Sequence, residues 1–222
     1  TISSEIVLSS LLKQMMKIVI ENAGAQKGWL ILHKHDQWVI EAEGAVDSET
    51  VTVQQSIPIG TVGGMQNCPV PCTLIHYVIR TGESVVLEHA AREGKFTYDP
   101  HILKHQVKSV LCIPLIKHGQ LNGVIYLENN VTSGVFTEDR LKVINMLSAQ
   151  MVVSLENATL YKQLNDALEN QVKLANEQVE LTNAYSRFVP REFLSLLGKK
   201  SIVDVQLGEP LEKEITIMFS DI

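Results

Sequence analysis

The longest regular pattern of apolar and polar positions in this chain runs from Thr137 to about Tyr185 and contains no glycine or proline. Apolar side chains recur there at helical spacing, which predicts a helix. Thr137 precedes the acidic pair Glu138 and Asp139, as is typical of an N-cap and first turn. At about 1.5 Å per residue the helix is roughly 70 Å long, more than a domain of this size needs. We expect its first half to pack on a domain and its second half to contact a partner.

The second half of this helix carries two series of residues spaced seven apart, the pattern of a coiled coil. We predict a parallel homodimer through this helix and the first helix of the chain. The predicted dimer positions are Leu160, Leu164, Ala167, Gln171, Leu174, Gln178, Leu181 and Tyr185. Gln171 and Gln178 are polar and weaken this seam. A second apolar series, Tyr161, Leu168 and Ala175, lies one position further on and offers an alternative seam.

Before the long helix, the pattern predicts a first helix over residues 4–22 and six short strands. Alternation of apolar and polar positions, or short apolar runs, places the strands at 28–33, 37–44, 51–57, 84–87, 110–117 and 120–128. Two short helices are predicted at 73–80 and, after the N-cap Asp99 and Pro100, to about His105. These elements predict an α+β domain whose one antiparallel sheet is covered on one face by the terminal helices.

The other face of that sheet is where we expect a ligand pocket. The two short helices and the irregular loops between the third and fifth strands are placed to close over it. The loop aromatics Phe96 and Tyr98 serve either as a lid over a ligand or as anchors of the loop itself. The predicted ligand-contacting residues are Phe96, Tyr98, His101, Ser109 and Ile113.

Composition narrows the classes of function. The net charge of −6, without clustered Lys and Arg, argues against a nucleic-acid-binding surface. No apolar run reaches the roughly 20 residues of a membrane span, and no signal peptide opens the sequence, so we expect a cytoplasmic protein. The first residue is Thr1 rather than Met, as in a segment of a longer chain.

Two pairs of residues have the spacing of metal ligands. Cys68 and Cys72 form either a metal or redox pair or simply two free thiols in a loop, and the odd cysteine count of three gives no disulfide framework. His101 and His105 lie four apart on a short helix and are either metal ligands or two solvent-facing side chains. Neither pair has an evident third ligand, so no cofactor is expected in this segment.

Three stretches resemble a GAF domain: residues 109–115 (SVLCIPL), 121–129 (LNGVIYLEN) and 136–141 (FTEDRL). The resemblance covers about residues 1–155 and implies a GAF (PAS-like) sensor fold. GAF domains bind cyclic nucleotides, bilins, haem, small metabolites or nothing known. Val131 stands where the cyclic-nucleotide subset has Lys, and Thr73, not His, follows Cys72, unlike the bilin-binding pattern. The resemblance therefore leaves the ligand open.

The last part of the chain is similar to the start of a class III adenylate or guanylate cyclase. The resemblance rests on residues 186–194 (SRFVPREFL), a Leu207-Gly208 turn and residues 214–222 (EITIMFSDI). It implies a signalling helix over 156–185, a transducer element over 186–213 and the first catalytic strand over 214–222. Asp221 matches the Asp that holds the Mg²⁺ or Mn²⁺ ions of such cyclases, which suit hard oxygen ligands.

The resulting interpretation is a regulatory GAF sensor and dimerisation region of a class III cyclase. The segment itself is expected to be inactive, because the other catalytic residues of that family lie beyond Ile222. The longer protein is expected to convert ATP or GTP into the cyclic nucleotide and pyrophosphate. Two alternatives stay open: a ligand-free GAF dimerisation module, and a GAF sensor of another effector such as a kinase.

Overall fold

The computed structural model describes residues 2–34, 36–46, 51–59, 68–92, 94–188, 194–195, 197–200, 204, 216 and 218–219. The side chains of 2–7, 54–55 and 186–188 are outside this description. The chain divides into two compact units, Thr1–Leu164 and Asn165–Ile222. The second unit contains the predicted transducer element and first cyclase strand, of which only a few residues are described. Asp221 lies outside the described residues.

The elements predicted from the sequence are present, and their ends fall within a few residues of the expected positions. They are α1 (Ile2–Ala23), β1 (Lys27–Lys34), β2 (Gln37–Ala45), β3 (Val51–Pro58), α2 (Cys72–Thr81), β4 (Val85–Leu87), α3 (Pro100–His105), β5 (Ser109–Lys117), β6 (Gln120–Asn129) and α4 (Glu138–Phe188). Local signals explain the agreement. Gly82 ends α2 in the left-handed conformation, and its N–H donates to the carbonyl of Val78. Asp99 caps α3, with Pro100 at its first position.

The six strands described form one antiparallel sheet in the order β3-β2-β1-β6-β5-β4. The two central strands, β1 and β6, are paired from Lys27 opposite Glu128 to Leu32 opposite Gly123. A side chain at Gly123 would place its Cβ 2.7 Å from the carbonyl oxygen of Ile31, so the close approach of these strands requires glycine there. The predicted fold class is therefore confirmed.

The terminal helices α1 and α4 pack on one face of this sheet. We call the apolar cluster between them the helix-side core; its central members are Leu12, Met16, Ile20, Leu30, Leu111, Ile113, Leu115, Ile125, Leu127, Ile144 and Met151. The first turns of α4 contribute side chains to this core at helical spacing, as the sequence pattern predicted. Covering of one sheet face by the terminal helices is thus confirmed.

The opposite face of the sheet is covered by α2, α3 and their connecting loops. This second cluster, the loop-side core, contains Trp29, Ile31, Ile40, Val70, Leu74, Ile75, Val78, Ile102, Val107, Cys112, Val124 and Tyr126. Alternation along the strands divides their side chains between the two cores: Val110 and Cys112 of β5 lie in this core, whereas Leu111 lies in the other. None of the helices in the described part of the chain combines the length and apolar character needed to cross a membrane.

Candidate functional site

A network of buried polar side chains crosses the loop-side core from α2 to β6. One oxygen of Asp99 accepts two hydrogen bonds from Thr73, from the backbone N–H at 3.1 Å and from the hydroxyl. The other oxygen accepts the backbone N–H of His101 at 2.9 Å. His101 Nε2 lies 2.9 Å from Glu128 Oε2, which also accepts a 2.8 Å hydrogen bond from Tyr126 Oη. We call these five residues the polar network.

Local sequence explains where these side chains point. Asp99 is the residue before the first turn of α3, where a carboxylate reaches back to the free backbone N–H groups. Val124, Tyr126 and Glu128 alternate along β6 and therefore share its loop-side face. Glu128 is 1% exposed and His101 is 7% exposed. A buried carboxylate is stable only when it is hydrogen-bonded, so the sheet and both short helices depend on this network.

The electrostatics of the network follow from burial and pairing. Burial by itself raises the pKa of Glu128, but the hydrogen bond and charge of His101, with the Tyr126 hydrogen bond, lower the pKa below its ordinary value. Burial, followed by the neighbouring Glu128 charge, raises the pKa of Tyr126. Burial and the nearby His101 lower the pKa of His105. Glu128 is therefore held ionised, and Tyr126 is held as a hydrogen-bond donor.

Two ring nitrogens beside the network have no hydrogen-bond partner among the described residues: Trp29 Nε1 and His101 Nδ1, both buried. The Trp29 ring centroid lies 6.2 Å from that of His101 and 5.4 Å from that of Tyr126. A cavity of only about 10 Å³ lies nearby, lined by His101, Asp99, Pro100, Cys68, Val70 and Cys72. That volume is close to the space that one water molecule occupies. Among the described residues, the cavity that borders His101 and Asp99 therefore has room for one water.

The five predicted ligand-contacting residues do not come together as one site. Tyr98 is 88% exposed, whereas Phe96 packs on the loop-side core with its ring 5.5 Å from that of Tyr77. Ser109 is buried, and its hydroxyl donates to the carbonyl of Thr132 at 3.0 Å. Ile113 lies in the helix-side core, so its expected position on the other sheet face is wrong.

The error at Ile113 has a simple physical cause. Successive side chains of a strand point to opposite faces, so Ile113 shares the helix-side face with Leu111, whereas Val110 and Cys112 face the loop side. The sequence reasoning also missed Glu128, Tyr126 and Thr73. The available signal was an acidic residue, Glu128, directly after the apolar run of β6 and on the same strand face as Tyr126, where a buried carboxylate needs a partner.

The alternative in which both His101 and His105 face solvent is wrong for His101. Its ring is buried and engaged with Glu128, so it does not face solvent. His105 is exposed, and the two rings lie 4.6 Å apart. Within the described residues, no group of three or more His, Cys, Asp or Glu side chains is arranged to hold a metal ion.

Of the two alternatives for Cys68 and Cys72, two free thiols is wrong, because a disulfide joins them. The chain reverses through the two prolines of Pro69-Val70-Pro71 and brings their Cα atoms within 6.5 Å, a separation that a disulfide can span. Cys112, the remaining cysteine, is free and buried.

A larger cavity of about 460 Å³ lies on the helix-side face, opposite to the predicted pocket. Its apolar wall includes Leu8, Leu12, Leu32, Leu115, Val152 and Leu155. Its polar rim contains two ion pairs, Lys34 with Glu41 at 2.6 Å and Lys117 with Glu156. Both lysines of this rim are therefore paired with carboxylates.

Beyond Leu155, α4 presents its predicted dimer positions to solvent. Leu160, Leu164, Leu174, Leu181 and Tyr185 are each more than half exposed, and Ala167, Gln171 and Gln178 are exposed as well. Val172 and Val179 are also exposed apolar residues on this part of the helix. The helix thus carries a long run of apolar side chains that the described part of the chain does not cover.

Comparison with curated proteins finds similar sequences in histidine kinases. The chain is 36% identical over 118 residues to the hybrid signal transduction histidine kinase G of Dictyostelium discoideum, a match covering 53% of this chain and 3% of that protein. It is 24% identical over 208 residues to histidine protein kinase 1 of Candida albicans, covering 89% of this chain and 8% of that protein. The chain therefore spans less than a tenth of the length of these relatives.

Comparison with solved structures supports the fold. The GAF domain of Thermosynechococcus elongatus PixJ, in its blue-light absorbing form, superposes with a TM-score of 0.55 at 16% identity, covering 77% of this chain and 97% of that one. The GAF domain/HD domain protein of Geobacter sulfurreducens gives 0.52 at 12% identity, covering 69% and 94%. The family model of the GAF domain matches residues 7–155, well over half of the sequence. The chain belongs to the GAF domain family.

Proposed function

We propose that this chain is the regulatory GAF region of a cytoplasmic signalling enzyme and that it controls the output domain through a parallel pair of long helices. The observation that carries the proposal is the continuity of α4. Ile144 and Met151 are buried against the sheet, and the same helix continues to Phe188 with exposed apolar side chains. Movement of the packed turns is therefore passed along an unbroken hydrogen-bonded helix.

Exposed apolar side chains at heptad spacing support the dimer. Leu160, Leu164 and Leu174 leave apolar area in water, and pairing with a second copy removes it. Charged residues lie between these positions; for example, Lys173 Nζ is 4.0 Å from Glu177 Oε1. An apolar seam with charged flanks is the pattern that favours helix pairing over general aggregation.

Packing of the loop-side core favours the ligand-free alternative for that face of the sheet. Trp29, Ile102 and Tyr126 fill the region beneath α3 where we expected a ligand. We propose that this core is structural and that the domain responds through its helices. Cyclic AMP and cyclic GMP should then leave the melting temperature unchanged, and a clear rise with either nucleotide would contradict this part of the proposal.

Two output domains are candidates, each favoured by a different observation. Residues 186–194 and 214–222 favour a class III cyclase, and the curated relatives favour a histidine kinase. We propose the cyclase, because its two motifs lie in this chain itself. The kinase matches cover 53% and 89% of this chain but 3% and 8% of the kinases, so they compare only a small segment of each kinase. Asp221 is the residue of this chain that we propose to hold Mg²⁺ or Mn²⁺, which prefer carboxylate oxygen.

An assay of the full-length protein distinguishes a cyclase output domain from a histidine kinase output domain. Conversion of ATP and GTP into cyclic nucleotide is measured with Mg²⁺ or Mn²⁺ for the wild type, Asp221→Ala and the control Asp139→Ala. We expect Asp221→Ala to abolish activity without changing the melting of the GAF domain, because it removes a metal ligand. Near-normal turnover by Asp221→Ala contradicts the cyclase proposal. Acid-labile phosphohistidine without cyclic nucleotide supports the kinase.

A further inference from the structure

The disulfide between Cys68 and Cys72 occupies an unusual place in the fold. Cys72 is the first residue of α2, and the bond closes a small ring around residues 69–71. Cys72 is 3% exposed, whereas Cys68 is partly exposed. Cys68 is therefore the more accessible of the two residues, and Cys72 is held at the start of a helix.

We propose that Cys68 and Cys72 form a reversible redox site, reduced by a dithiol and oxidised by hydrogen peroxide. In reduction, a reagent thiolate attacks Cys68 Sγ, the protein S–S bond breaks, and Cys72 leaves as a thiolate that takes up a proton. The second thiolate of the reagent then displaces Cys68, which is also protonated, and the reagent becomes a disulfide. Two electrons pass from the reagent to the protein.

Oxidation runs through peroxide. The Cys68 thiolate attacks a peroxide oxygen, the O–O bond breaks, and the departing hydroxide becomes water. The Cys72 thiolate then attacks the resulting sulfenic acid at Cys68 and displaces a second hydroxide, which also becomes water. The two thiols thus lose two electrons, and one peroxide yields two waters.

The position of Cys72 favours it as the leaving group. It lies at the amino end of the ten-residue helix α2, where the helix dipole and free backbone N–H groups stabilise a thiolate. The Asp99 carboxylate opposes this effect, because it borders the same small cavity as both cysteines. Its negative charge is partly satisfied by the two hydrogen bonds from Thr73.

The same geometry connects the disulfide to the polar network. Thr73 follows Cys72 directly and donates both its N–H and its hydroxyl to Asp99, the cap of α3. While the ring is closed, the first turn of α2 is held in the position that makes these contacts. Reduction frees that turn and so weakens the packing of α2 on α3. Through His101, it also weakens the contact between α3 and Glu128 of β6.

Cys112 is an internal control for the reactivity of Cys68 and Cys72. It is fully buried in the loop-side core, and burial raises the pKa of its thiol far above the usual range. A buried, protonated thiol is a poor nucleophile, so redox reagents should bypass it in the folded protein. The two classes of cysteine can therefore be separated in a single labelling experiment.

The experiment treats the 222-residue chain with hydrogen peroxide or with dithiothreitol, alkylates it while folded, and locates the label by peptide mass spectrometry. We expect no label at Cys68 or Cys72 after peroxide, label at both after dithiothreitol, and closure again when peroxide follows. Cys112 should stay unlabelled until the chain is unfolded. Label at Cys68 and Cys72 in the peroxide-treated protein, or failure of dithiothreitol to open the bond, overturns the proposal.

Amide hydrogen exchange of the peroxide-treated and the dithiothreitol-treated protein tests whether reduction weakens the packing of α2 on α3. We expect several-fold faster exchange in α2 and α3 after reduction, with no change in β1. Cys68→Ser should exchange like the reduced protein and ignore both reagents. Thr73→Val, which keeps the disulfide but loses the hydroxyl contact, should raise exchange locally and still respond to dithiothreitol. Equal exchange in the oxidised and reduced wild type overturns the link to the polar network.

Discussion

Asp99 connects two helices that are far apart in sequence. It caps α3 through His101 and accepts two hydrogen bonds from Thr73 in α2, which lies 26 residues earlier. Asp99 therefore stabilises the fold in two ways: it caps α3, and it holds α2 against α3. The sequence motif Asp99-Pro100 showed only the first role.

Replacing Asp99 with Ala should lower the free energy of unfolding by about 2–3 kcal/mol, because a helix cap and a buried charge-assisted contact are both lost. Asp99→Asn should lose less, since its side-chain oxygen still caps the helix. The exposed Asp139→Ala is the control and should change the value by less than about 0.5 kcal/mol. Urea unfolding measures all three, and equal stability of Asp99→Ala and wild type would show that the network is not stabilising.

The ionisation of Glu128 makes the stability of the fold depend on pH in the acidic range. Since its pKa is lower in the folded than in the unfolded state, the unfolded chain binds more protons as the pH falls. The contribution is complete above the ordinary glutamate pKa of about 4.3 and is lost as the pH falls through the lowered folded value. His105, whose pKa is also lowered, acts in the same direction below about pH 6.5.

Glu128→Gln should therefore flatten the acid side of the stability profile and cost about 2 kcal/mol at neutral pH, because charge-assisted hydrogen bonds to His101 and Tyr126 are lost. Urea midpoints between pH 3 and pH 8 measure both effects. The exposed Glu138→Gln serves as control and should keep the wild-type profile. A Glu128→Gln profile as steep as that of the wild type would contradict the role of this carboxylate.

At the scale of elements, α4 offers two neighbouring seams. The first contains Gln171 and Gln178, and the second contains Tyr161 and Leu168, with the exposed Val172 nearby. Polar residues at core positions weaken a coiled coil and help to fix its register. We propose that the two seams are close in energy and that the GAF domain biases the helix pair toward one of them.

Replacing both Gln171 and Gln178 with Leu should stabilise the first seam, raise the melting temperature of the helix pair, and reduce the response of the output domain to the GAF input. Asn176→Leu adds an apolar residue on the other side of the helix and should leave the response unchanged. Circular dichroism melting and the enzyme assay in the gene-length protein measure the two effects. A more stable double variant with a normal response would rule out the two-seam mechanism.

At the scale of the whole molecule, we propose that the exposed apolar residues of α4 pair with a second copy of the chain. We expect the chain to sediment as a homodimer at tens of micromolar, since pairing removes apolar side chains such as Leu164 and Leu174 from water. The double change Leu164→Lys and Leu174→Lys should shift it to a monomer, because a buried seam does not tolerate like charges.

Asn176→Lys, on the other side of the helix, is the matched control and should remain dimeric. Chain direction is tested with Tyr185→Cys, which should form an interchain disulfide only when the helices run parallel. A monomeric wild type in analytical ultracentrifugation, or a dimer that Tyr185→Cys does not cross-link, would contradict the proposed assembly.

The sequence by itself determined the elements and the family. Helical and strand periods, the Gly82 stop and the Asp99-Pro100 cap are local signals, and a local signal places an element boundary within a few residues. The fold class followed from these elements because a sheet with two flanking helices has few ways to bury its faces.

Tertiary structure decided which side chains meet. His101 and Glu128 are 27 residues apart, and neither periodicity nor capping indicates that α3 lies over the end of β6. The sequence left Cys68 and Cys72 as either a metal or redox pair or two free thiols, and the structure joins them in a disulfide. Periodicity shows which residues of one element share a face, but long-range packing selects the opposite element, and the polar network depends on that choice. The disulfide depends instead on the local path of the backbone through residues 69–71.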